Sequence, residues 1–224
     1  MRKSTLKVMT AAFLLMLLAC GAGSQGTAPN PPPYAVQDFS RLKGMKGFSD
    51  QALDLHFALY QGYVKNTNLL LEEMQKLIAQ NQAGTPAFAE LKRRFGWEFN
   101  GMRLHELYFG NLGGKEPLDR DSKLMKKLTE NFGGFDQWLA DFKATAAMRG
   151  IGWVILWEDP QSGRLINAWI NEHDLGHLAG CQPLLVMDVF EHAYMPDYGL
   201  KRTAYIQAFL DNVNWKVVEG RMSK

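Results

Sequence analysis

The amino-acid sequence predicts an α+β protein: an N-terminal long helical hairpin, followed by a C-terminal domain with a small three-stranded antiparallel sheet flanked by helices. Residues 50–82 and 86–111 carry apolar side chains at helical spacing, and their only proline opens the second segment. After residue 151 the apolar pattern changes to β-rich runs. Helices therefore precede strands instead of alternating with them, which is the order of an α+β chain.

The N-terminal helical hairpin domain is predicted over residues 45–115. Ser49 or Asp50 can cap the first helix, which contains Gly62 as its one glycine. Pro86 suits the first turn of the second helix, and the glycine pair at 113–114 ends it.

The C-terminal domain is predicted over residues 116–224. It begins with two helices, at 122–131 and 134–148, each bounded by glycine. Two β-rich runs, 152–157 and 164–170, flank the turn sequence Asp-Pro-Gln-Ser-Gly and predict a hairpin. A third strand at 183–187, a helix at 201–211 and a short helix after Asn214 complete the prediction.

The first 19 residues have the pattern of a lipoprotein signal peptide. Arg2, Lys3 and Lys7 precede an apolar stretch that is too short to span a bilayer comfortably. The sequence Leu-Leu-Ala-Cys ending at Cys20 resembles a bacterial lipobox, in which that cysteine is lipidated; an ordinary cleaved signal peptide is the alternative. Residues 20–44 are then predicted to be a lipidated cysteine followed by a flexible, Pro- and Gly-rich tether.

This N-terminal pattern predicts an extracytoplasmic protein, lipid-anchored to a bacterial membrane on its periplasmic side. Because Gly21 and not aspartate follows the cysteine, known sorting preferences favour the outer membrane where a cell has two membranes. Cys181 is the only other cysteine, so no disulfide framework is expected. The formal charge of +2, without a basic stripe interleaved with aromatics, argues against nucleic-acid binding.

Chemistry-bearing residues concentrate around the five histidines. His56, Tyr60 and Tyr63 fall at i, i+4 and i+7 and therefore share one helix face. Asp188 and His192 form an Asp-x-x-x-His pair after an apolar run. By themselves these patterns fit half of a metal site, or buried histidines paired by hydrogen bonds.

The segment from Asp188 to Tyr194 resembles the C-terminal signature of the iron/manganese superoxide dismutases, and the match continues through Tyr198, Arg202, Tyr205, Phe209 and Asn214-Trp215. The Tyr-Val-x-Asn-x-Asn run from Tyr63 and the stretch 99–109 resemble further parts of the family pattern. The resemblance implies one iron or manganese ion per subunit, bound by His56, His105, Asp188 and His192.

The implied reaction is conversion of superoxide to dioxygen and hydrogen peroxide, with Tyr63 as the active-site tyrosine. Family members use a glutamine or histidine to hydrogen-bond the solvent at the metal. Some members supply that residue from the second helix, but this chain has Gly101 at the corresponding position. The resemblance therefore points to His173, and Glu172 is a competing alignment. His173 and His177 also leave open a second metal site or a polar loop.

Glu191 resembles the family glutamate that hydrogen-bonds a ligand histidine of the partner subunit, which implies a homodimer or higher homo-oligomer. The resemblance also places Trp153, Phe190 and Tyr194 around the metal or at the subunit contact.

The chain departs from the family pattern at four points. The interval from His56 to Tyr63 is one residue short, which predicts a regular helix without a π-bulge, and Tyr60 stands near a usual histidine. Phe190 replaces a tryptophan, and Met195 replaces a tyrosine. These departures keep open a non-catalytic, dismutase-like envelope lipoprotein that binds metal in an interaction role. A mononuclear iron oxygenase is a third reading.

Overall fold

The computed structural model describes residues 33–223. It confirms the predicted α+β class, with helices first and a three-stranded antiparallel sheet in the C-terminal part. After a 3-10 turn at Ser40–Leu42, the elements in chain order are α1 (Asp50–Ala79), α2 (Pro86–Gly110), α3 (Lys123–Phe132), α4 (Phe135–Ala146), β1 (Gly152–Glu158), β2 (Leu165–Asn171), β3 (Gln182–Asp188), α5 (Glu191–Tyr198), α6 (Arg202–Asp211) and α7 (Trp215–Gly220).

The helical hairpin is formed by α1 and α2, and both helices begin where their capping residues predict. The side-chain oxygen of Ser49 accepts a hydrogen bond from Ala52 N, and that of Thr85 accepts one from Phe88 N. Pro86 occupies the first helical turn, where its missing N–H costs nothing. α1 runs through Gly62 as regular α-helix, as the shortened interval in the sequence predicts.

The sheet has the strand order β2-β1-β3, so β1 lies in the centre and is buried along its whole length. Its register with β3 pairs Trp153 with Asp188. On the other side, Trp153 pairs with Ile170 near the end of β2. The sheet therefore brings the start of β1, the ends of β2 and β3, and the loop after β2 to one edge.

The strap, residues 34–42, packs against the hairpin. Its backbone exchanges hydrogen bonds with the side chain of Asn68, at 2.8 Å in each direction. Phe39 and Leu42 are buried, and Arg41 donates to the carbonyl oxygens of Phe109 and Leu112. The predicted flexible tether through residue 44 is therefore wrong for residues 34–42, because buried side chains and hydrogen bonds to carbonyl oxygens at and just beyond the end of α2 fix them.

α5 is the one described α-helix that the sequence does not predict. It is short, contains Pro196 and ends before Gly199, so helical periodicity has little length in which to show. The predicted signal peptide, Cys20 and the first part of the tether lie outside the described residues. Among residues 33–223, no helix combines the length and apolar character needed to cross a membrane.

Candidate metal centre

Four side chains from separate elements meet at the edge of the sheet: His56 of α1, His105 of α2, Asp188 at the end of β3 and His192 of α5. One possible ligand atom from each lies within 4.8 Å of the others. The Nε2 atoms of His56 and His192 are each 3.1 Å from Asp188 Oδ2, and that of His105 is 3.6 Å away. The structure thus brings the four sequence-predicted ligands into one cluster.

His105 shows most directly that the cluster can hold a cation. Its Nδ1–H donates to the carbonyl oxygen of Gly101 at 2.6 Å, one helical turn earlier, which leaves the lone pair on Nε2. That Nε2 atom is buried and has no hydrogen-bond partner among the described residues. A buried acceptor without a partner is costly in a folded protein, and a metal ion in the cluster would satisfy it.

Asp188 is held by hydrogen bonds to two of its oxygen atoms. Its Oδ1 accepts from Phe190 N at 2.8 Å, and its backbone carbonyl accepts from the Tyr205 hydroxyl at 2.7 Å. The hydroxyl of Tyr108 lies 3.2 Å from the hydroxyl of Tyr205 and donates to it. Oδ2 is thereby directed at the three imidazoles.

The cluster favours the protonation states that metal binding requires. Burial lowers the pKa of His56 and, more strongly, that of His105, so both imidazoles are neutral at neutral pH. Burial alone would raise the pKa of Asp188, but interactions with His192 and His56 outweigh it and keep that carboxylate ionised. Three imidazole nitrogens and one carboxylate oxygen form a donor set that suits iron or manganese.

His173 lies beside the cluster, in a chain of hydrogen bonds. The indole Nε1–H of Trp153 donates to His173 Nδ1 at 3.0 Å, so a neutral His173 carries its proton on Nε2. That Nε2 is 2.7 Å from the hydroxyl of Tyr63 and donates to it. Burial lowers the pKa of His173 to about 4, which keeps the ring neutral, and raises the pKa of Tyr63 to about 12.

Aromatic rings enclose this chain of hydrogen bonds. Phe190 stacks between His173 and His192, with ring centroids 4.7 and 5.2 Å away. Trp97 packs edge-to-face on His173 at 4.8 Å. The sequence motifs did not indicate Trp97, because the family-like stretch on α2 begins two residues after it.

Comparison with known proteins agrees with this geometry. A family model described as iron/manganese superoxide dismutases, C-terminal domain, matches residues 120–221. The chain is 41% identical to an iron superoxide dismutase of Aquifex pyrophilus over 199 residues, which cover 84% of this chain and 90% of the relative. The chain belongs to the iron/manganese superoxide dismutase family.

The relatives include proteins named as iron enzymes and proteins named as manganese enzymes. An iron superoxide dismutase of Cupriavidus metallidurans is 37% identical, over 80% of this chain and 90% of its own length. A manganese superoxide dismutase of Haloferax volcanii is 34% identical, over 75% and 83% respectively. Family membership therefore supports iron or manganese and does not decide between the two metals.

His173 and Glu172, the two sequence candidates for the residue at the metal's solvent, have different surroundings in the structure. His173 is fully buried and faces Tyr63, whereas Glu172 is only half-buried and adopts a φ of 52°. His177 donates from Nε2 to the backbone carbonyl of His173 at 2.8 Å. It therefore supports the loop, and among residues 33–223 no group of three or more possible metal ligands includes His173 or His177.

Three other predicted residues lie near the cluster with different surroundings. Tyr60 is buried with its ring 6.4 Å from that of His105, and its hydroxyl accepts from Gln37 N and donates to Glu106, so this hydroxyl holds the strap. Tyr194 is buried beside Tyr205, at a centroid distance of 5.8 Å. Glu191, the first residue of α5, is exposed.

Proposed function

We propose that this protein is a superoxide dismutase that converts superoxide to dioxygen and hydrogen peroxide with one bound iron or manganese ion. The observation that carries the proposal is the buried, unpartnered Nε2 of His105 within a His₃Asp cluster. Membership of the iron/manganese superoxide dismutase family supports it.

His56, His105, Asp188 and His192 would hold the ion, which when bound supplies a one-electron couple that one superoxide reduces and the next oxidises. Two superoxide ions and two protons then give one dioxygen and one hydrogen peroxide. The remaining task of the chain is to deliver protons.

The Tyr63–His173 pair is suited to that task. Because His173 Nε2–H donates to the Tyr63 oxygen, the phenolic proton of Tyr63 is left to point away from His173. A phenol with a pKa near 12 keeps this proton at neutral pH and can donate it in a hydrogen bond to the substrate. Tyr63 thus acts as the proton-holding group, and His173 fixes its orientation.

Substitution of Asp188 tests the proposal. Asp188→Asn keeps the shape of the side chain but removes the charge on which two imidazoles converge. We expect loss of the bound metal and a fall in superoxide decay of at least about 100-fold. The exposed Asp121→Asn is the matched control and should leave both unchanged. A wild-type protein that binds iron or manganese but does not accelerate superoxide decay would favour the non-catalytic envelope role.

We further propose that the enzyme works as a homodimer, lipid-anchored through Cys20 outside the cytoplasm. Exposed Glu191, next to His192, supports the dimer, and the lipobox-like sequence supports the anchor. Cys20→Ala tests the anchor: metabolic labelling with a radioactive fatty acid should mark the wild-type chain and not the variant. Equal labelling of both chains would exclude Cys20 as the acceptor.

A further inference from the structure

A basic cleft lies where the strap and the turn after it meet the loop that follows α2. It is a cavity of about 360 Å³ whose charged lining residues are all cationic: Arg41, Lys43, Lys46 and Lys115. No carboxylate contributes to its lining. None of these four residues belongs to the metal centre.

The positive charge of the cleft is only partly balanced. Lys43 pairs with Asp54 at 2.7 Å, and the nearby carboxylate of Asp50 accepts from Gly44 N. Lys46 and Lys115 form no ion pair among residues 33–223, and Arg41 binds only carbonyl oxygens. The side chains of Lys46 and Lys115 are therefore available to an anion, and Arg41 adds a third positive charge that no carboxylate balances.

This concentration of cations stands out against the charge of the surrounding body. The chain has 25 basic and 23 acidic residues, but Arg2, Lys3, Lys7 and Lys224 lie outside the described part. Acidic residues thus slightly outnumber basic ones in residues 33–223. A cleft lined only by cations on such a body produces a localised positive potential.

Two glycines shape the floor of the cleft. A Cβ on Gly113 would lie 3.0 Å from Arg41 Nη1, and one on Gly114 would lie 2.2 Å from the carbonyl oxygen of Val213. Gly113 also adopts a φ of 86°, which side chains rarely adopt. These positions therefore accept only glycine without displacement, and the floor remains free of side chains.

We propose that the basic cleft binds a phosphate-bearing anion, the kind of group that anionic membrane lipids expose. Lysine and arginine side chains around a concave surface provide the charge and the donors that a phosphate group requires. The cleft would supply a second, reversible contact with a membrane that carries such headgroups.

The position of the strap lets the cleft reach the membrane in a protein anchored at Cys20. This part of the proposal rests on the proposed anchor. Hydrogen bonds fix Tyr34 to Asn68, so only the 13 residues 21–33 separate the fixed body from Cys20. Fully extended, such a segment spans at most about 50 Å. A headgroup-binding cleft on a body held that close experiences a high effective concentration of lipid.

Residues 33–224 contain all of the described core and serve as the soluble test protein. Its binding to phosphatidylcholine vesicles, with and without phosphatidylglycerol, is measured by flotation. The double variant Lys46→Glu/Lys115→Glu reverses the two cleft lysines that lack ion pairs. Lys65→Glu/Lys126→Glu changes the net charge equally at exposed positions outside the cleft.

We expect binding only to the anionic vesicles, with a partition coefficient that the cleft variant lowers at least about tenfold and the control lowers less than about twofold. Binding should disappear in about 1 M salt, where the Debye length is about 3 Å. Titration with inorganic phosphate should move the amide resonances of Gly113 and Gly114 in the wild type but not in the cleft variant.

Phosphate binding at these glycines without vesicle binding would support the anion site and assign it to a soluble phosphate. Absence of both signals, or equal losses in the two double variants, would overturn the proposal. Superoxide decay measured on the same samples separates this result from the proposed enzyme activity, because neither Lys46 nor Lys115 belongs to the metal centre.

Discussion

At the scale of single residues, the proton position on His173 depends on one indole N–H. Trp153→Phe removes this donor while keeping an aromatic ring, so His173 can adopt either tautomer and no longer donates reliably to Tyr63. We expect metal content to remain and the rate of superoxide decay to fall by about tenfold. Elemental analysis and a superoxide-decay assay on the same preparation check this.

Trp157→Phe is the matched control for that experiment. Trp157 lies on the same strand and is also buried, but its Nε1 has no hydrogen-bond partner among the described residues. It should keep full activity. Equal activity in the two variants would show that the tautomer of His173 does not matter for the reaction.

Gly101 determines where the ring of Tyr63 can lie. A Cβ at this position would be 2.5 Å from Tyr63 Cδ1, so Gly101→Ala must displace the tyrosine. We expect a loss of about 1–3 kcal/mol in the free energy of unfolding, and a fall in activity with the metal retained. Denaturant unfolding, together with the superoxide-decay assay, measures both effects.

Gly96→Ala on the same helix is the control, because a Cβ there meets nothing within 4 Å. It should stabilise the protein by about 0.5–1 kcal/mol through helix propensity alone. If Gly101→Ala behaves like Gly96→Ala, the close packing of Tyr63 on α2 is not needed.

The residues predictable from sequence are those that occur in motifs with fixed spacing. His56, His105, Asp188 and His192 stand in such motifs, and the structure brings them together. The contact between Trp153 and His173 was not predictable in this way. It depends on where a loop returns over the sheet, and no spacing within either segment encodes that path.

At the scale of elements, α1 shows why a shortened interval still leaves the site intact. Seven residues from His56 to Tyr63 are close to two turns of a regular helix, so both side chains project to the same side. His56 reaches Asp188, and Tyr63 reaches His173. The helix therefore does not need an extra residue to present the pair.

The strap depends on Tyr60 for one of its anchors. Tyr60→Phe removes the bonds to Gln37 N and Glu106, and we expect a loss of about 1–2 kcal/mol in the free energy of unfolding. Hydrogen exchange at the Gln37 amide should become faster. Thermal unfolding and exchange mass spectrometry measure the two effects.

Tyr34→Phe is the control within the strap, because Tyr34 is fastened by its backbone and its hydroxyl has no partner among the described residues. It should leave both the unfolding free energy and the exchange rate close to wild type. Unchanged exchange at Gln37 in Tyr60→Phe would mean that the strap is held by Phe39, Leu42 and Arg41 alone.

At the scale of the whole molecule, the metal centre exists because non-local pairings converge. The β1–β3 register pairs Trp153 with Asp188, while the hairpin brings His56 and His105 together. Local periodicity predicts that these strands and helices exist, which is why the α+β class could be derived from the sequence. Register and the packing of the strap depend on tertiary contacts that periodicity does not contain.

The proposed dimer would use the surface around α5. Glu191 is exposed beside His192, and exposed Met195 and Leu200 lie further along and just beyond the helix. In the proposed dimer, a glutamate that hydrogen-bonds a partner's histidine would become buried on association, so its removal would weaken the dimer more than removal of an exposed ion pair would.

For Glu191→Ala we therefore expect the dimer dissociation constant to rise at least about tenfold, because an interfacial hydrogen-bonded charge contributes about 2 kcal/mol or more. Activity at low protein concentration should fall in step with the dimer fraction, since His192 is itself one of the four clustered side chains. Analytical ultracentrifugation and the superoxide-decay assay over the same dilution series measure the two quantities. Glu130→Ala, an exposed position on α3, is the control and should follow the wild type. An unchanged mass distribution in Glu191→Ala would exclude this glutamate from the contact.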